Sequence, residues 1–212
     1  MQHNPRHQCL IYAGSPAPHL PALMALIRQK LNENTRCLYL NSPPMVAGMR
    51  SYLYAAGVDV PKEVMKGSLI LSSDRRHLTD GSFDIDRMLT LLNDAVCQAV
   101  KDGYQGLWAT GDMSWEFGPE KSFSTLMEYE WRLEDLFQRQ PNLSGICQYH
   151  ADTLPHEVLR QGVMTHQALF ISDTLCRLNA HYISRKAATA HLPSHGEIDS
   201  MINRLCTDLH AH

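Results

Sequence analysis

No stretch of this sequence approaches the ~20 consecutive apolar residues that a membrane-spanning helix requires. Its first residues, Met1-Gln-His-Asn-Pro-Arg-His-Gln8, lack the basic region and apolar core of a secretory signal. Six cysteines occur but none forms a Cys-x-x-Cys pair, which removes the zinc-ribbon and thioredoxin-like patterns. Cys9, Cys37 and Cys147 lie in apolar runs, where a free thiol behaves as a small hydrophobe. A cytoplasmic protein with reduced thiols and no membrane contact is expected. An excess of one charge is also missing. The 22 acidic and 19 basic side chains leave a formal net charge of −3, so no basic field draws the chain to nucleic acid. There is no Gly-x-Ser-x-Gly nucleophile elbow and no Ser/His/Asp or Cys/His set.

Twelve histidines are present, yet none pairs with another at ligand spacing beside cysteines. His191 and His195 flank Pro193 in a loop-like stretch, and His210 and His212 are terminal. His7 and His166 each precede a strand, which places them at the amino-terminal edge and argues against one shared His/Cys centre. Neither a metal nor a cofactor is expected. A phosphate loop is missing as well. The first strand-to-helix turn reads Gly14-Ser-Pro-Ala-Pro-His19, in which Pro16 and Pro18 each remove a backbone donor and no Lys-Ser/Thr pair follows. A working ATPase of that type is not expected, and the chain is read as a non-enzyme.

What the sequence does have is alternation. Short apolar runs at 8–13, 36–40, 68–72, 106–110, 144–149 and 167–172 read as strands. Helical patterns at 20–31, 44–56, 84–101, 120–139 and 155–161 separate them, with Asp84 as a plausible N-cap. Strands joined by helices of this length imply right-handed crossovers and a mainly parallel sheet. The fold expected is α/β, a three-layer sandwich around that sheet. Residues 174–182 read as weakly helical and 184–194 as a linker. A terminal helix at 197–209 carries Ile198, Met201, Ile202, Leu205 and Leu209 on one stripe. That stripe fits either its own domain or a second copy or partner.

The stretch most suggestive of function is Gly106-Leu-Trp-Ala-Thr-Gly-Asp-Met-Ser-Trp-Glu-Phe117, an apolar strand running into a polar turn and then a helix. Such turns lie at the carboxyl edge of the sheet, where α/β folds place ligands. Thr110, Asp112, Met113 and Trp115 are the expected ligand contacts, Trp115 as a flat wall with one donor. Asp112 reads either as a pocket carboxylate or as the cap of the next segment. Tyr12 and Tyr149 end their strands at the same edge. On the helix 120–139, Phe123, Leu126, Leu133 and Phe137 define an inward stripe. Glu130 falls on it, where a carboxylate is costly unless partnered. It is expected to face Asp112, whereas Glu128 and Glu134 are expected on the solvated face.

The motifs His7-Gln-Cys-Leu-Ile-Tyr12, Arg36-Cys-Leu-Tyr39, Ala55-Ala-Gly-Val-Asp59, Leu78-Thr-Asp-Gly-Ser-Phe-Asp84 and Arg87-Met-Leu89 occur in order, followed by Thr110-Gly-Asp-Met-Ser-Trp115, Glu128-Tyr-Glu130, Arg132-Leu133, Cys147-Gln-Tyr149 and Thr165-His166. The set resembles the MEDS domain (methanogen/methylotroph, DcmR sensory) over roughly His7 to Asp173. The resemblance implies a RecA-like, P-loop-related fold without the phosphate loop. It also implies a sensory role toward small organic compounds, including hydrocarbon derivatives. Asp112 stands where the family more often carries Glu. On this reading residues 1–173 are the sensory domain and 174–212 a C-terminal helical extension. The chain would be a stand-alone sensor that signals to a partner protein, with possible self-assembly through its last helix. The alternative reading is a degenerate P-loop-like nucleotide hydrolase or transferase, with Asp112 or Glu130 as base or metal ligand.

Overall fold

The computed structural model describes residues 5–16, 18–117, 123–172, 175–187 and 195–207. Strand β1 (His7–Tyr12) leads to α1 (Leu20–Asn32), and β2 (Arg36–Leu40) leads to α2 (Pro43–Ala55) and α3 (Val60–Lys66). After β3 (Leu69–Ser72) comes a small hairpin, β4 (Leu78–Thr79) and β5 (Ser82–Phe83), and then α4 (Ile85–Lys101). Strand β6 (Leu107–Asp112) runs straight into the one-turn α5 (Met113–Glu116). The rest is α6 (Leu126–Arg139), β7 (Leu143–His150), α7 (His156–Thr165), β8 (Ala168–Ser172), β9 (Leu175–Leu178) and α8 (His195–Thr207).

Seven strands form one sheet in the order β3-β2-β6-β7-β1-β8-β9. All neighbouring pairs are parallel except β8 with β9. Because side chains alternate along a strand, the sheet divides the interior into two cores. On one face Leu10, Tyr12, Cys37, Tyr39 and Trp108 meet α1 and α2 through Leu23, Ile27, Met49 and Leu53. On the other, Cys9, Ile11, Leu107, Cys147 and Tyr149 meet α4, α6, α7 and α8. The result is the three-layer α/β sandwich that the alternation of strand and helix implies. Asp84 does cap α4, accepting from the Arg87 backbone N–H at 2.9 Å.

Three local readings change. The helix expected over 120–139 begins at Leu126, so Phe123 lies before it and not on its stripe. Within the expected helix 174–182, the described residues 175–182 are not helical: Leu175 to Leu178 form β9, since four residues that can extend an existing sheet satisfy their backbone groups at lower cost than an isolated helical turn. The helix α3 has no counterpart in the periodicity. It is a seven-residue helix with Asp59 accepting from Lys62 N at its start and Gly67 left-handed (φ 77°) at its end. The terminal stripe is used within the chain: Ile198, Met201 and Ile202 are buried in the second core, and Arg160 holds Asp199 with two hydrogen bonds of 2.7 and 2.8 Å. Leu209, on the same expected stripe, lies outside the described residues. Among the described residues no helix is long and apolar enough to cross a membrane.

Candidate functional site

The crossovers create two places where neighbouring strands send their chains to opposite faces. Strand β2 leads out to the α2 face and its neighbour β6 to the α6 face; β7 and β1 diverge in the same way. Crevices outside the carboxyl ends of such strands are where open α/β sheets hold ligands. The chain ends there in Asn41, Asp112, His150 and Tyr12. Tyr12 stacks on His150 at 4.7 Å and bonds to Asp112. Burial drives the Tyr12 hydroxyl well above its ordinary range, and the Asp112 charge adds to this. In the first turn the Gly14 N–H is held by the Asp152 carboxylate at 2.7 Å, and its carbonyl lies 2.9 Å from His150 Nε2.

Asp112 is both edge carboxylate and cap. It accepts from the Trp115 backbone N–H at 2.9 Å and from the Ser114 hydroxyl. Burial nevertheless wins and raises its pKa. Thr110 lies one pleat below, donating to the Ile146 carbonyl at 2.7 Å and accepting from Gln148. Met113 is fully buried in the core on the α6 face. Trp115 stands under the segment before β4, with the His77 ring at 5.2 Å and the Arg75 guanidinium at 5.8 Å. Its indole Nε1–H is buried without a hydrogen-bond partner among the described residues.

A stability prediction follows from Asp112. Its folded-state pKa lies above the unfolded value, so its contribution is fully present below about pH 3.9 and is lost as pH rises through the folded value. Asn is as good an N-cap and carries no charge. Asp112→Asn should therefore be at least as stable as the parent at neutral pH, while Asp112→Ala should lose about 0.5–2 kcal/mol through the cap. Urea melts of the three proteins at pH 7 check this; an Asn variant as unstable as the Ala variant would overturn it.

Glu130 and Tyr149 do not face Asp112. Asp112 belongs to the strand positions that point toward α1 and α2, and α6 covers the opposite face, so the sheet separates the two carboxylates. Glu130 is fully buried and accepts from the Tyr149 hydroxyl. Its other oxygen lies 3.4 Å from His7 Nε2, 3.6 Å from His166 Nε2 and 3.8 Å from the Cys147 sulfur. The Cys147 sulfur is in turn 3.4 Å from His7 Nε2. Glu134 is not on a solvated face either. Four residues after Glu130, it shares that inward stripe and meets His7 Nδ1 at 2.9 Å.

The expectation that amino-edge histidines would not share a centre with a cysteine therefore fails, and with it the ground for expecting no metal ligands. Strand β1 lies between β7 and β8, so His7 at the start of β1, Cys147 of β7 and His166 before β8 converge under α6. The four potential ligand atoms of His7, Glu130, Cys147 and His166 lie within 4.8 Å of one another. Burial alone would lower His7, but hydrogen bonds to Glu130 and Glu134 raise it to about 8. Burial, reinforced by the neighbouring His7, lowers His166 to about 4 and keeps it neutral. Burial would raise Glu130, yet the two imidazoles hold it below the ordinary carboxylate value. Burial beside Glu130 drives the Cys147 thiol well up. Between this cluster and the edge sits Glu116, raised by burial and by Glu130, with the Tyr129 hydroxyl at 3.3 Å. Its carboxylate fills space that a Cβ at Gly111 would need.

A sharper reading of the sequence could have found the cluster. Two carboxylates four apart on an apolar helix stripe require buried partners, and His7 and His166 start strands that flank one another.

Among solved structures, the chain is similar to a protein of Pyrococcus horikoshii, the uncharacterized PH0321 in complex with an unknown peptide. The two are 14% identical, the match covers 82% of each chain, and the TM-score is 0.56. At that identity the likeness is one of fold. No curated protein matches. A family model described as the methanogen/methylotroph, DcmR sensory domain matches residues 6–167, three quarters of the sequence and nearly the whole parallel sheet. The ordered motifs and this match agree, and the chain belongs to the MEDS family of sensory domains.

Proposed function

We propose that the chain is the sensing unit of a regulatory system, and that its ligand is a small organic molecule held at the carboxyl edge beside β2 and β3. The observation that carries this is a cavity of about 150 Å³ lined by Leu38, Leu40, Met88 and Leu92, with Ser72, Asp74, Arg76 and His77 at its polar side. A volume of that order accommodates a benzene-sized molecule, far less than a nucleotide needs. The size favours a compact hydrocarbon derivative over a nucleotide. The first turn agrees, because its Gly14 N–H is already committed to a carboxylate and offers no cradle for phosphate. A hydrolase reading finds no support there, and we read the chain as a non-enzyme.

His77 joins this cavity to the Thr110–Trp115 turn, since its ring packs on Trp115 and its Nε2 meets the Glu116 carbonyl at 2.8 Å. Ligand binding would bias the positions of residues 73–83 and of α5, and the two populations would differ in affinity for a partner protein. Tyr12, Thr110 and Asp112 do not line this cavity; they belong to strand positions facing α1 and α2, whereas Leu38, Met88 and Leu92 belong to the core on the α4 and α6 side, so His77 and Trp115 are the link between the two. Met113 anchors that turn from the core side.

A panel of small alcohols, haloalkanes, amines and aromatics tests this by thermal shift, because a ligand at 100 Kd adds about 2.7 kcal/mol. Ala95→Leu, which projects into the cavity, should abolish the shift of any hit. Trp115→Ala should weaken it. A hit whose shift survives Ala95→Leu would place its site elsewhere, and the absence of any hit across the panel would overturn the ligand class.

A further inference from the structure

The buried cluster under α6 lies on the opposite face of the sheet from Asp112, and nothing in the sensing role requires it. Its geometry is that of a coordination sphere. For zinc-to-nitrogen or -oxygen bonds of about 2.0–2.1 Å and a zinc–sulfur bond of about 2.3 Å, a tetrahedron has edges of about 3.3–3.6 Å. Three measured separations are 3.4, 3.4 and 3.6 Å, and the Cys147–Glu130 edge is 3.8 Å. The remaining two edges fall within 4.8 Å.

The orientation of the rings agrees. His166 Nδ1 lies 2.7 Å from the Gly162 carbonyl, which only accepts, so Nδ1 carries the proton and Nε2 presents its lone pair. That Nε2 is fully buried, aimed into the cluster, and without a hydrogen-bond partner among the described residues. His7 has the same arrangement in a second form: Nδ1 donates to Glu134, leaving Nε2 toward the cluster. Imidazoles that ligate a metal almost always donate their other N–H to a carboxylate or a backbone carbonyl. Here one ring does each. Tyr149 donates to the second oxygen of Glu130, which holds that carboxylate with one oxygen turned inward.

We propose that His7 Nε2, Glu130 Oε2, Cys147 Sγ and His166 Nε2 bind a divalent transition-metal ion of the zinc class. Four protein ligands close a tetrahedral sphere and leave no open position, so the role is structural or regulatory. The mixed nitrogen, sulfur and oxygen donors exclude calcium and magnesium as the preferred ions. A route for the ion exists at the amino-terminal edge, where His7 and Glu134 line a cleft of about 600 Å³ together with Arg6, Phe137 and Gln167.

The test uses the full chain and Zn²⁺ and Co²⁺ as probes. Protein grown with supplemented zinc should retain about one ion per chain by elemental analysis. After chelation and Co²⁺ loading it should show the intense visible bands of tetrahedral cobalt and a thiolate charge-transfer band. Cys147→Ser should remove the charge-transfer band while near-UV dichroism reports an intact fold. Glu134→Gln, which touches no ion, should weaken zinc affinity by about 10–100-fold in a chelator competition. Should the variants fail to fold, the cobalt spectrum of the wild-type chain decides alone. The proposal is overturned if the folded wild-type chain binds no stoichiometric zinc, or if its cobalt spectrum is weak and octahedral. A charge-transfer band that survives Cys147→Ser overturns it as well. None of these readouts depends on the organic ligand, so this proposal and the sensing site stand or fall separately.

Discussion

Replacing Glu130 by alanine is expected to lower stability by about 3–5 kcal/mol, the range found when one partner of a buried ion pair is removed. The side chain is fully buried, and three groups depend on it: the protonated His7 ring, the Tyr149 hydroxyl and the Cys147 thiol. The alanine leaves the Tyr149 hydroxyl buried without its acceptor and leaves the His7 charge to Glu134 alone, so the loss exceeds that of one hydrogen bond. Urea unfolding in the presence of a chelator isolates the contribution of the protein's own network from that of any ion. Glu128→Ala is the internal control. Glu128 pairs with Arg185 where both are well exposed, and such pairs contribute about 0–1 kcal/mol. If the Glu130 variant lost less than the control, the cluster would not be a network that the fold depends on.

The second large effect belongs to Gly145→Ala. Gly145 is in β7 and pairs with Ala109 of β6 and with His7 of β1, at the centre of the sheet. A Cβ added there would run into the Ala109 backbone carbonyl oxygen. Backbone cannot rotate away as a side chain can, so β6 and β7 would have to separate at the point where both cores meet the sheet. A loss of about 3 kcal/mol or more is expected, the upper end for overpacking. Gly196→Ala, where an added Cβ meets nothing within 4 Å, should be neutral or slightly stabilising. Denaturant midpoints of the two variants check the contrast. Equal stability for both would mean that the sheet yields more readily than close packing allows.

Most of the fold was legible because its signals are local. Apolar runs of the right length and helical stripes between them set the parallel sheet, and Asp84 marks the start of α4 within one residue. The failures share a different cause. Strand β9 exists only because β8 offers an unpaired edge, which no window of sequence reveals. The site residues were legible by type but not by side of the sheet. The sequence pattern groups Asp112, Glu130 and Tyr149 because all three lie at or near strand ends or on an inward stripe. Whether two such residues meet depends on strand parity and on which face each helix covers, and both follow from strand order. Once β1 is known to lie between β7 and β8, His7, Cys147 and His166 fall together without further assumption.

The alternation that separates the two cores also bears on how the chain finds one pairing. A one-residue slip of β1 against β7 would turn His7 and Cys9 toward α1 and put Gln8 and Leu10 beneath α6. Glu130 would then be buried without His7, its cationic partner, a penalty of several kcal/mol on top of misplaced apolar side chains. Apolar residues discriminate weakly here, because both faces of these strands are buried and Leu10 would suit either core. The polar cluster supplies the missing discrimination, because the native register is the one that sets His7 against Glu130 and Glu134.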